Sequence, residues 1–79
     1  MDFSSIPNAQ HFLSTSRDFV MQEKRFGTPK SVIEQTIFSA AFNDLLNANY
    51  TYGQSFTLAN QAVQMVFRGL PRQDRGDVQ

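Results

Sequence analysis

Wound as a helix, the segment from Thr28 to Asn49 is apolar around most of its circumference, and no other stretch of this chain is. At ~100° per residue, Ile33, Ile37, Phe38, Ala40, Ala41, Phe42, Leu45, Leu46 and Ala48 cover roughly two thirds of the circle, leaving a wedge for Thr36, Ser39, Asn43 and Asn47. A helix lying on a surface needs one apolar stripe. An arc this wide implies contact with two neighbours, or with one neighbour and a second chain, so this segment is expected to be the central, most buried helix. Thr28 is suited to cap its N–H groups, with Pro29 at the first helical position. Gly27 suits the left-handed residue that closes the preceding helix, and Asn47 and Asn49 tolerate that geometry at the far end.

Two further helices are predicted around it. From Asn8 to Phe26 the residues Ala9, Phe12, Leu13, Phe19, Val20 and Phe26 recur at helical spacing, with Phe12, Phe19 and Phe26 each seven apart. Glu23 falls within that stripe and needs a cation or water, with Arg68 or Lys30 as candidates. Residues 49–55 read as a loop whose tyrosines, Tyr50 and Tyr52, cover one end of the bundle. A third helix over 56–68, capped by Ser55 or Thr57, carries Leu58, Ala59, Ala62, Val63, Val66 and Phe67. It stops at Gly69, where a left-handed turn, Leu70 and Pro71 compose a Schellman ending.

The 79 residues thus read as one all-α domain, a three-helix bundle over 8–26, 28–48 and 56–68. Residues 1–7 form an arm whose Phe3 and Ile6 fold back as a staple, and 71–79 form a polar tail. The expected core is Phe12, Leu13, Phe19, Val20, Ile33, Ile37, Phe38, Ala41, Phe42, Leu45, Val63, Val66 and Phe67. With eight Phe and no Cys, that core should rest on aromatic packing without disulfide support.

Composition narrows function mainly by exclusion. One His and no Cys leave no ordinary zinc site, and no metal or cofactor is expected. Seven basic and seven acidic residues cancel, so no net field draws the chain to nucleic acid or an anionic membrane. The opening Met1-Asp2-Phe3-Ser4-Ser5 lacks the basic and apolar regions of a signal peptide, and no apolar run approaches the ~20 residues of a membrane span. A cytoplasmic location, of a cell or an infected host, is the expectation.

His11, Ser14 and Asp18 share one face of the first helix and supply a base, a nucleophile and an acid on paper. A single exposed face offers them no cleft or oxyanion site, so no catalysis is expected. Asn60, Gln61, Gln64 and Arg68 on the third helix are side chains of the kind that read base edges, yet phosphate-neutralising cations are sparse around them. A nucleic-acid-binding regulator is the alternative reading. Arg75-Gly76-Asp77 spells an integrin-binding tripeptide with no secretion signal to display it.

What remains is a non-catalytic protein-binding module: an assembly subunit, adaptor or small inhibitor of a protein partner, of a size and composition that suit a viral or mobile-element accessory protein. Phe38, Phe42, Asp44 and Leu46 on the second helix, with Asn60, Gln64 and Arg68 on the third, are the residues expected to contact that partner. Glu34 and Asp44, set in the apolar arc, would act as polar selection points. A homodimer through Phe38, Phe42 and Leu46 is expected as well, because three short helices leave part of a wide apolar arc uncovered.

Overall fold

The structure, a computed structural model, describes residues 1–70. A 3-10 turn, Phe3–Ser5, precedes three helices: α1 (Ala9–Arg25), α2 (Lys30–Asn47) and α3 (Tyr52–Arg68). The expected all-α three-helix bundle is therefore what forms, with no strand among the described residues. Pro71, the polar tail and Arg75-Gly76-Asp77 lie outside them. Contacts across the α2–α3 seam run in opposite order, from Phe42 with Tyr52 through Phe38 with Phe56 to Lys30 with Phe67, so the two helices are antiparallel.

The connections show how local chemistry sets the helix ends. Gly27 has φ +79°, and its N–H reaches the Lys24 carbonyl while the Thr28 N–H reaches that of Glu23, a Schellman ending for α1. Asn49, at φ +72°, closes α2 the same way, with its own N–H on Leu46 and the Tyr50 N–H on Leu45. The start of α2 differs from expectation. The Thr28 hydroxyl donates to Glu23 Oε1 at 2.8 Å rather than capping, and α2 begins after Pro29 with no side-chain cap. Glu23 thereby finds its partner in Thr28, not in Arg68 or Lys30; Lys30 lies 4.0 Å from Glu34 one turn along α2.

The expected loop over 49–55 is also corrected, because α3 starts at Tyr52. Thr51 accepts from the Gln54 N–H and the Gln54 side chain accepts from the Thr51 N–H, both at 3.1 Å, so a capping box overrides the poor helix propensity of Tyr52 and Gly53. At the other end, Gly69 has φ −89° and makes no left-handed turn. A Cβ there would land on the guanidinium of Arg17. Arg17 donates from Nη2 to the Met65 carbonyl (3.1 Å) and from Nε to that of Val66 (3.4 Å), placing a cation at the negative end of α3. Arg17→Met keeps most of the stem and is expected to cost about 1–2 kcal/mol. Urea unfolding would read the loss, with amide exchange in the last turn of α3 speeding up before the rest.

The core is aliphatic, contrary to expectation. Of eight Phe, only Phe3 is buried, at 4% exposure; Phe12, Phe19, Phe38, Phe42 and Phe67 are half-buried, as is Val63, and Phe26 and Phe56 are exposed. Leu13, Val20, Ile33, Ile37, Leu45, Leu58 and Val66 fill the centre, with Ala9, Ala41, Ala59 and Ala62 letting the backbones approach. α2 contributes one row to it, Ile33, Ile37, Ala41 and Leu45, while α3 encloses five positions from Ser55 to Val66. The most enclosed helix is thus α3, which α2, α1 and the N-terminal turn all contact. Phe3 folds back as expected, its N–H donating to Gln61 Oε1 at 2.9 Å and its ring meeting Phe12 edge-on at 5.6 Å.

Ser55 is an exception within this core: its hydroxyl is fully buried and has no hydrogen-bond partner among the described residues. An unpaired buried hydroxyl costs free energy, and alanine is the better helix former. Ser55→Ala is expected to raise stability by about 1 kcal/mol. The urea midpoint should move up; a fall would mean that the hydroxyl does find a partner.

Candidate functional site

The second apolar row of α2, Phe38, Phe42 and Leu46, lies one residue round from the buried row and is only half-buried. Its two phenylalanines meet the start of α3. Phe38 and Phe42 stack with ring centres 5.7 Å apart and planes 13° from parallel. Phe56 stands edge-on to Phe38 at 5.4 Å, and Tyr52 edge-on to Phe42 at 5.1 Å. Edge-to-face pairs of this kind contribute about 0.5–1.5 kcal/mol each, which fixes the rings in place although Tyr52 is 71% and Phe56 50% exposed.

Beyond the rings the same seam opens into a groove of about 580 Å³. Phe38, Phe56 and Val63 form its apolar wall, and Ser31, Gln35, Asn60 and Gln64 its uncharged polar rim. The charge nearby is balanced: Glu34 lines the groove beside Lys30, whose Nζ sits 5.2 Å over the Phe67 ring. A surface of fixed aromatic rings flanked by neutral amides can bind apolar side chains and match backbone or amide groups around them.

Five of the seven residues expected at a contact surface are brought together here: Phe38, Phe42 and Leu46 by their shared row, Asn60 and Gln64 by the rim. Two are not. Arg68 is exposed at the last residue of α3, outside the groove lining. Asp44 projects on the other side of α2, where it borders a pocket formed with α1 and the N-terminal turn. It is exposed, so it is no selection point in the aromatic face. Tyr52 and Phe56 were not among the residues expected here: Tyr52 read as part of the connection, and Phe56 as the first residue of the third helix with no contact role. The Thr51-x-x-Gln54 spacing was the signal that would have placed Tyr52 on that helix.

The other constellations resolve into structure. His11, Ser14 and Asp18 are all exposed and share no hydrogen bond among the described residues. No group of three metal-ligating side chains forms there either. Gln61, one of four side chains suited to base edges, spends its carbonyl on the Phe3 N–H. No helix among the described residues is long and apolar enough to cross a membrane. No protein-family model matches the chain, and neither a curated protein nor a solved structure is found similar to it.

Proposed function

We propose that this chain is a non-catalytic protein-binding module, an assembly subunit, adaptor or small inhibitor, whose contact surface is the aromatic face of α2 and α3. The observation that carries the reading is the ladder Tyr52–Phe42–Phe38–Phe56, four rings in contact with one another along the side of a bundle, none of them in its buried core although Phe38 and Phe42 pack against it. Rigid, half-exposed aromatics are costly to leave in water and are the residue type that anchors protein interfaces. A groove between two antiparallel helices, its rim of neutral polar residues carrying the single carboxylate of Glu34, fits an amphipathic helix of the partner, its apolar stripe bordered by polar residues.

Photo-cross-linking tests this directly. A benzophenone side chain at position 56, in the chain's native cellular background, is expected to give one dominant adduct with another protein, and the same group at exposed position 11 none. Absence of an adduct at 56, or identical adducts at both positions, would overturn the reading. An adduct consisting of two copies of this chain would assign the face to a homodimer instead of a foreign partner.

A further inference from the structure

We infer that the pocket between the N-terminal turn, α1 and the end of α2 is a second site, which takes a small amphiphilic cation: an aryl or alkyl chain bearing an ammonium group. The site is separate from the aromatic face and does not depend on its role. Its volume is about 430 Å³, within the roughly 300–1,000 Å³ of small-molecule clefts. The floor is dry, being made by Phe3, Ala9 and Leu45, all buried, and Phe12 and Tyr50 provide aromatic walls.

The charge in the lining of the pocket has one sign. Asp44 is the sole charged side chain in the lining, and its carboxylate has no ion pair or hydrogen bond among the described residues. It stands in the last turn of α2, where the helix dipole is already negative and which has no basic residue of its own. A carboxylate there is unfavourable for the helix alone and favourable for a cation seated above aromatic rings. Asn8, held at φ +69° with a side chain that caps nothing, and Asn47 flank it as further polar groups. An apolar floor, aromatic walls and one unopposed negative end define a ligand with an apolar body and a single positive head.

The test uses the whole chain, 15N-labelled, titrated with 4-phenylbutylammonium and with its neutral counterpart 4-phenylbutanol. Saturable amide shifts are expected around Ala9, Leu45 and Tyr50 for both, with the ammonium binding about three- to tenfold tighter. Asp44→Asn, a change at an exposed position, should abolish that preference while leaving the affinity for the alcohol unchanged. The inference is overturned if neither compound gives saturable shifts, if the shifts fall on Phe38, Phe56 and their neighbours, or if wild-type chain binds both compounds equally.

Discussion

Leu13→Ala is expected to remove about 3 kcal/mol of stability, whereas Phe26→Ala should change it by less than about 0.5 kcal/mol. Leu13 is 1% exposed in the middle of α1, so truncation leaves a cavity lined by neighbours that cannot collapse into it. Phe26 is larger and more apolar, but it is 73% exposed at the end of α1 and has little burial to lose. A single core of this size rarely supplies more than about 3–5 kcal/mol, so the leucine change should leave much of the population unfolded. Urea denaturation followed by far-ultraviolet circular dichroism reads both variants. A larger loss for Phe26 than for Leu13 would contradict an aliphatic core.

Phe56→Asp is expected to weaken partner binding on the order of a hundredfold with the bundle still folded. Anchors of this type contribute about 2 kcal/mol or more to an interface, and a carboxylate enclosed without a cation adds a desolvation cost. In the free chain the same carboxylate sits in water, since Phe56 is half exposed and its ring meets that of Phe38. The affinity for the cross-linked partner, set beside the urea midpoint of the same variant, separates loss of contact from loss of fold. Undiminished binding would remove Phe56 from the interface.

Helical periodicity located the three helices because each presents a stripe that water disfavours. It did not locate the boundary between core and surface, and the phenylalanines show why. Phe12, Phe19 and Phe26 repeat every seven residues, which on a straight helix drifts by ~20° per repeat. Each successive ring therefore turns further from the buried line of Ala9, Leu13, Ser16 and Val20, until Phe26 emerges into solvent. In α2 the wide apolar arc divides into two rows. The smaller residues, Ile33, Ile37, Ala41 and Leu45, enter the bundle, while Phe38, Phe42 and Leu46 stay half open.

Two other features depended on pairs distant in sequence. Arg17 looked like an edge residue of α1, and its bonds to Met65 and Val66 exist only once α3 is docked. Asp44 fell within the wide apolar arc, yet residues two apart on a helix point to nearly opposite sides. Asp44 accordingly borders the pocket formed with α1 and the N-terminal turn, and Phe42 faces Tyr52 on the other side.

Hydroxyl-radical footprinting of Tyr52 and Phe56, in the purified chain and in the complex of the unsubstituted chain with the partner that cross-linking identifies, asks most directly whether the aromatic face is where the partner sits. Both rings should be readily oxidised in the free chain, in keeping with their exposure, and strongly protected in the complex, while His11 on α1 reacts equally in both. Rings that stay reactive in the complex, with protection appearing at His11 instead, would contradict the assignment of this face.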